Sequence, residues 1–178
     1  LPDYFHFLLT GQKCSEYTNA TSTQLINAQT NDWDWELIGR LGYPQEMFLP
    51  LSQPGTLVGS FTKEIEEEVG FSCEVVLPAT HDTGSAVMAV PGEGDKNLYI
   101  SSGTWSLMGI ENKTAICTEE SRKRNFTNEG GYEYRYRYLK NIMGLWMIQS
   151  VRKELENKYS FAELCAMASR RSDFPSRV

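Results

Sequence analysis

The stretch Thr80–Ala86, which reads THDTGSA, constrains the fold of this chain more than any other. It follows an apolar run at residues 75–78 and precedes a run of small and apolar residues at 86–90. That order predicts a strand, a tight loop and a helix, with Asp82 at the N-cap of the helix. The free amides and the dipole of a helix N-terminus favour a negative charge, either the Asp82 carboxylate or a phosphate.

The same stretch carries groups that suit proton transfer. His81 precedes Asp82, and two hydroxyl residues and a glycine follow it within three positions. A fixed carboxylate beside a histidine can act as a general base. Asp82 can equally be no more than a helix cap, and these seven residues leave both interpretations open.

Composition narrows the class of protein. Seventeen basic and 23 acidic residues give a net charge of -6, which argues against a nucleic-acid surface. No apolar run approaches the roughly 18 residues of a membrane span.

The four cysteines show no C-x-x-C spacing, so we expect no zinc site and no disulfide framework, but reduced thiols in the cytoplasm. The chain begins without Met or a signal peptide, so we expect an internal segment of a longer protein.

Capping residues mark four helices. Pro2 and Gly11 bound the first, and Asp32 or Asp34 caps a second that ends at Gly42. Thr62 caps a third over 63–69, and the capping-box sequence at residues 160–163 opens the last. The Pro- and Gly-rich stretch at 91–95 predicts a boundary between domains at 1–92 and 93–178.

The second half begins with a predicted hairpin. Its strands are 97–101 and 105–110, and its turn is Ser102-Gly103-Thr104. Such a tip either offers amides and hydroxyls to an anion or is an ordinary surface turn.

Two further elements follow the hairpin. Strict alternation over 132–138 predicts a strand with tyrosines on one face and charges on the other. A helix is predicted from Asn141 to about Asn157, which would put Asn141 and Gln149 on one side about 12 Å apart.

Other enzyme signatures fit poorly. Residues 82–85 spell the short signature of aspartic proteases, but those enzymes place two such carboxylates side by side, and here there is one copy. The sequence contains neither the P-loop pattern G-x-x-x-x-G-K-[ST] nor the hydrolase pattern G-x-S-x-G.

Long stretches of the chain resemble the FGGY family of carbohydrate kinases. Residues 1–4, 9–11 and 16–20 are similar to the family's first domain, and 80–86 is similar to its catalytic loop. Residues 101–109, 128–131 and 139–146 resemble, within the family, the members that act on L-rhamnulose. The resemblance covers roughly residues 1–149.

The resemblance implies an α/β, actin-like (ribonuclease H-like) ATPase fold: the end of a sugar-binding domain and the start of a nucleotide-binding domain. It implies that Asp82 takes the proton from the sugar's primary hydroxyl, with His81, Thr83 and Asn141 as further sugar contacts. The nucleotide contacts would be Thr104 and Gln149, with Mg²⁺ bridging the phosphates of ATP. No residue of the chain is assigned as a metal ligand.

Three functions remain open at this point. The first is an ATP-dependent kinase of L-rhamnulose, and the second is a kinase of another ketose or polyol, such as xylulose, fuculose or glycerol. The third is a non-catalytic actin-like binding module, against which the presence of Asp82 and Thr104 speaks. The family's first phosphate-binding hairpin and its later glycine-rich adenosine segment are not found in the sequence, so we expect the fragment alone to be inactive.

Overall fold

A computed structural model describes residues 1–91 and 97–171, which form α/β structure. The helices are α1 (Pro2–Thr10), α2 (Tyr17–Thr21), α3 (Trp35–Leu41), α4 (Lys63–Val69), α5 (Asp82–Met88), α6 (Glu119–Lys123), α7 (Trp146–Glu154) and α8 (Phe161–Ser169). The strands are β1 (Ser15–Glu16), β2 (Ile26–Asn27), β3 (Asp32–Trp33), β4 (Leu51–Ser52), β5 (Leu57–Ser60), β6 (Glu74–Val76), β7 (Leu98–Ser102), β8 (Ser106–Asn112), β9 (Thr127–Gly130) and β10 (Tyr136–Ile142). Two 3₁₀ turns lie at Gln45–Met47 and Tyr132–Tyr134.

The four helices predicted from capping residues are confirmed. Helix α1 ends at Gly11, and α3 is capped by the Asp34 side chain and ends at Gly42, both glycines being left-handed. The Thr62 hydroxyl caps α4. Helix α8 begins with the complete reciprocal capping box of Ser160 and Glu163. Each signal acts within one helical turn, so the distant parts of the chain do not alter it.

The predicted hairpin is also confirmed as two neighbouring strands. Strands β7 and β8 belong to a four-stranded sheet with the order β7-β8-β10-β9, the largest sheet in the described part of the chain. Strands β9 and β10 are antiparallel. The strands before residue 91 form two-stranded sheets. In one of them β5 pairs with β6, and the chain passes from β6 into the loop before α5.

A small apolar cluster packs together elements between residues 20 and 51. Ala20, Trp33 and Ile38 are buried, and partly buried neighbours pack around them. The Trp33 indole donates a hydrogen bond of 2.7 Å to the Leu49 carbonyl, which satisfies its buried polar atom. The cluster fixes α2, whose Thr18 hydroxyl accepts a hydrogen bond from the amide of His81 in the loop before α5.

The chain forms two compact units. The first contains Leu1–Ser101 and Met108–Lys140, and the second contains Ser102–Leu107 and, from Asn141 on, the described remainder. The domain boundary predicted at residues 92 and 93 lies outside the described residues and stays a prediction. No helix in the described part is both long and apolar enough to cross a membrane.

The predicted helix from Asn141 is wrong at its start. Strand β10 continues through Ile142, and α7 begins only at Trp146. A side chain at Gly144 would collide with the Gly103 carbonyl and with Ser106, so the chain must cross this point without one. Asn141 therefore lies on a strand and Gln149 on a helix, and the 12 Å spacing along one helix does not exist.

The alternating stretch 132–138 is also corrected. Its first three residues form a 3₁₀ turn, and the strand starts at Tyr136. Arg137, predicted on the charged face of the strand, is fully buried. Its guanidinium lies 3.2 Å from a carboxylate oxygen of Glu129 on the neighbouring strand, and this pairing makes burial of the charge possible.

Candidate active site

Asp82 lies at the start of α5, one position later than predicted. His81 is the N-cap, without a side-chain capping bond, and Asp82 is the first helical residue. Its Oδ1 accepts a hydrogen bond of 2.6 Å from the amide of Thr83, so it does not cap the helix in the predicted way. The side chain is 98% exposed, and Oδ2 accepts no hydrogen bond from the described residues. One carboxylate oxygen is therefore held and the other faces solvent.

A buried carboxylate fixes the loop before α5. Glu16 is fully buried and caps α2 through the amides of Thr18 and Asn19. Its Oε2 also accepts hydrogen bonds from the Thr80 amide at 3.1 Å and the Thr80 hydroxyl at 2.7 Å. The Thr18 hydroxyl in turn accepts a bond of 3.4 Å from the amide of His81. These bonds fix the backbone from which His81 and Asp82 project.

His81 lies between two carboxylates. Its Nδ1 is 3.5 Å from Oδ1 of Asp82, and its Nε2 is 3.6 Å from Oε2 of Glu129 on β9. The histidine side chain is 20% exposed. Thr83, predicted as a sugar contact, is buried, and its hydroxyl lies 3.4 Å from Oδ1 of Asp82.

Sequence reasoning missed three residues of this site: Glu16, Glu129 and Arg137. Glu16 and Glu129 lie in stretches that resemble the family, but a glutamate in a sequence does not indicate a buried side chain. Arg137 lies in an alternating stretch that indicated exposure. Glu129 and Arg137 become partners only when β9 pairs with β10. Glu16 finds its partner only when residue 80 folds back onto it.

The other predicted site residues lie in the second compact unit. Thr104 is exposed between β7 and β8, and Gln149 is exposed in the first turn of α7. The Thr104 carbonyl accepts the Trp146 amide at 3.0 Å, so the hairpin turn contacts the start of the helix that carries Gln149. Asn141 is exposed near the end of β10.

Within residues 1–91 and 97–171, one cluster of metal-ligand residue types occurs, and it lies away from Asp82. Ligand atoms of Asp3, His6 and Cys14 lie within 4.8 Å of one another. Oδ1 of Asp3 already accepts a hydrogen bond from the Glu16 amide at 3.3 Å. Burial raises the pKa of both the Asp3 carboxyl and the Cys14 thiol, which favours the protonated forms that bind cations poorly. We assign no metal role to this cluster.

The arrangement around Asp82 suits a reaction in which a hydroxyl loses a proton. The carboxylate is exposed, follows a backbone that Glu16 and Thr18 hold by hydrogen bonds, and has a histidine beside it. A general base needs to reach the proton it abstracts, and a rigid support maintains that geometry.

Known proteins similar to this chain are sugar kinases. The chain is 56% identical over 168 residues to a rhamnulokinase from Oceanobacillus iheyensis. The matched region covers 94% of this chain and 36% of that protein. The chain is 57% identical, with the same coverage, to a rhamnulokinase from Halalkalibacterium halodurans. A rhamnulokinase from Bacillus subtilis is 43% identical over 98% of this chain and 36% of its own length. The chain thus spans about a third of the length of these relatives.

Solved structures show the same fold. The ligand-bound xylulose kinase from Lactobacillus acidophilus matches 94% of this chain and 34% of its own, with a TM-score of 0.82 and 18% identity. The xylulose kinase from Rhodospirillum rubrum matches 98% of this chain and 36% of its own, with a TM-score of 0.79 and 16% identity. The predicted actin-like α/β fold is confirmed.

Two family models match in chain order. The N-terminal domain of the FGGY family of carbohydrate kinases matches residues 1–89, and the C-terminal domain of the same family matches residues 98–176. Together these matches cover almost the whole chain, and the chain belongs to the FGGY family of carbohydrate kinases.

Proposed function

We propose that the protein containing this chain transfers the γ-phosphoryl group of ATP to the primary hydroxyl of L-rhamnulose, forming L-rhamnulose 1-phosphate. The observation that carries the proposal is the exposed Asp82 carboxylate on a loop pinned by buried Glu16. The rhamnulokinases of Oceanobacillus iheyensis and Bacillus subtilis support the choice of sugar. The four free cysteines fit an enzyme of the cytoplasm.

Asp82 is the general base in this mechanism. Its Oδ2 accepts the proton of the sugar hydroxyl while the hydroxyl oxygen attacks the γ-phosphorus and ADP leaves. Phosphoryl transfer involves little covalent chemistry by the protein, so the contribution of the site is positioning and charge stabilisation. His81, Thr83 and Asn141 hold the sugar in this proposal.

Thr104 and Gln149 serve the nucleotide. Both side chains are exposed, and a hydroxyl and an amide are suitable donors to phosphate oxygens. The Gly103 and Thr104 carbonyls accept hydrogen bonds from the amides of Leu145 and Trp146, and the Thr104 side chain at the tip is exposed. Mg²⁺ bound to the phosphates would neutralise their charge.

The substrate is tested by offering the full-length protein ATP, Mg²⁺ and a panel of L-rhamnulose, xylulose, fuculose and glycerol. We expect L-rhamnulose to give the highest kcat/KM in a coupled assay of ADP release. A clear preference for xylulose or glycerol would assign the protein to another branch of the family. Absence of sugar-dependent ADP release with every compound would favour the non-catalytic binding module.

Asp82→Asn tests the catalytic role. Because removal of a general base typically costs about 10²–10⁴ in rate, we expect kcat with L-rhamnulose to fall by that factor. ATP binding, followed by calorimetry, should be unchanged, since the substitution lies on the sugar side. Glu36→Gln, which changes an exposed carboxylate in the first turn of α3, is the matched control. Turnover of the Asn variant within a few-fold of the parent would rule out Asp82 as the base.

A further inference from the structure

The polar contacts of His81 continue into the four-stranded sheet. Oε2 of Glu129 lies 3.6 Å from Nε2 of His81 and 3.2 Å from Nη2 of Arg137. The same Nη2 donates a hydrogen bond of 3.3 Å to the Gly130 carbonyl. The three charged or polar side chains thus form a line from the loop before α5 to the interior.

The sheet register holds Glu129 and Arg137 together. They are directly opposite each other on the antiparallel strands β9 and β10. The Arg137 side chain is 1% exposed and the Glu129 side chain is 20% exposed. A buried guanidinium is costly unless it is paired, so Arg137 restricts Glu129 to positions close to it.

Arg137 also supports the helix that begins with Asp82. A β-carbon placed on Gly84 would lie 3.6 Å from Cζ and from Nη2 of Arg137. The guanidinium therefore lies next to the first turn of α5, with room for no more than a methyl group between them. The same buried side chain pairs with the carboxylate that faces His81.

We propose that Glu129 and Arg137 are positioning residues for the sugar side of this site, an inference that rests on the proposed function. Oε2 of Glu129 makes no hydrogen bond with the described residues, so a small approach to His81 lets it accept one from a ring proton on Nε2, and Arg137 keeps Glu129 in place. Nδ1 of His81 then remains a hydrogen-bond acceptor beside Asp82, 3.5 Å from Oδ1, and has no hydrogen-bond partner among the described residues. A sugar hydroxyl is a donor that can satisfy Nδ1 while Asp82 accepts the proton of the reacting hydroxyl.

The first test is Glu129→Gln in the full-length protein. A glutamine amide at this place can donate to Nε2, which moves the ring proton to Nδ1 and removes the acceptor. Loss of such a supporting partner typically costs about 10–100-fold, so we expect that decrease in kcat/KM for L-rhamnulose. The KM for ATP should not change. Glu119→Gln, an exposed carboxylate on α6, is the matched control and should leave both constants unchanged.

Glu129→Asp and Arg137→Lys separate positioning from folding. The shorter carboxylate keeps the charge, so it should recover part of the lost kcat/KM. Lysine keeps the charge of Arg137 but lacks the planar guanidinium that lies next to the first turn of α5 while its Nη2 contacts Glu129 and the Gly130 carbonyl, so it should lower sugar kcat/KM as Glu129→Gln does. Thermal unfolding of each variant shows which of them fold.

Nitrogen chemical shifts of His81 give a readout that does not depend on activity. They are assigned in the full-length protein by comparison with His81→Gln. We expect a protonated Nε2 in the parent and a shift of the proton to Nδ1 in Glu129→Gln. The inference is overturned if a folded Glu129→Gln, or a folded Glu129→Asp where the first variant does not fold, leaves both the His81 shifts and sugar kcat/KM unchanged. If the parent phosphorylates none of the sugars, the proposed function fails, and the His81 shifts alone decide this inference.

Discussion

At the scale of single residues, two carboxylates near one loop have opposite surroundings. Glu16 is fully buried and accepts hydrogen bonds from the amides and hydroxyls of Thr18 and Thr80, so its role is to hold backbone. Asp82 is exposed and has one unoccupied oxygen, so it is available to a substrate. Both residues carry a carboxylate, so the residue type does not distinguish their roles. The number of hydrogen-bond donors around each carboxylate determines whether it holds backbone or is available to a substrate.

The exposed hydroxyl of Thr104 leads to a prediction about the nucleotide. Loss of a hydrogen bond to a charged group costs about 1.5–3 kcal/mol, so Thr104→Val should lower kcat/KM for ATP by about 10–100-fold. Steady-state kinetics with varied ATP at saturating sugar measure this. Thr104→Ser keeps the hydroxyl and should stay near the parent. A change confined to the KM for sugar would place Thr104 on the other side of the reaction.

At the scale of elements, close approach of backbone to side chains positions the site. Helix α2 packs on β9 so closely that a β-carbon on Gly130 would lie 2.5 Å from Cγ2 of Thr21 and 2.6 Å from Cε1 of Tyr17. The Gly130 amide also donates to the Thr21 hydroxyl at 3.1 Å. Glu129, which faces His81, is the neighbouring residue on that strand, so this packing fixes its backbone.

Gly130→Ala should therefore destabilise the protein. Overpacking of a tight contact typically costs about 1–3 kcal/mol, and the thermal unfolding midpoint of the full-length protein should fall. Gly39→Ala in α3 is the matched control, because a β-carbon there meets open space. Alanine is favoured over glycine within a helix by about 0.5–1 kcal/mol, so this control should hold or raise the midpoint. Equal shifts of the two variants would show that the contact at Gly130 relaxes without cost.

At the scale of the whole molecule, the chain contains part of what a sugar kinase of this family needs. It spans 36% of the Oceanobacillus iheyensis and Halalkalibacterium halodurans relatives. The predicted sugar contacts His81, Asp82 and Thr83 lie in one compact unit, and the other predicted site residues, Asn141, Thr104 and Gln149, lie in the second. Transfer requires the sugar hydroxyl and the γ-phosphate to be aligned while both are held.

We expect the 178-residue chain, produced alone, to transfer no phosphate. Positioning can contribute roughly 7–11 kcal/mol of a barrier, so loss of part of the phosphate cradle should abolish measurable turnover. The assay is ADP release with L-rhamnulose, ATP and Mg²⁺, with the full-length protein as the positive control. Sugar-dependent turnover by the chain alone at the rate of the full-length protein would contradict the prediction.

Local sequence determined the helices that have short-range signals. Three helices have an N-cap side chain that accepts a hydrogen bond from the backbone amide three residues later: Asp34, Thr62 and Ser160. Two helices end at a glycine in the left-handed conformation, Gly11 and Gly42. The family resemblance of residues 1–149 was equally readable, because it depends on long ordered motifs. These inferences needed no knowledge of which distant residues meet.

Tertiary structure alone decided which charges are buried and which face solvent. Glu16 and Thr80 are 64 residues apart, and their contact fixes the loop of Asp82. Arg137 can be buried because β9 brings Glu129 opposite to it. Strand β10 extends through Asn141, and residues 103–106 leave no room for a side chain at Gly144. A charged side chain can be buried only if a partner of opposite charge or a set of hydrogen bonds lies beside it. Here the partner comes from another part of the chain through tertiary contacts that no local sequence pattern specifies.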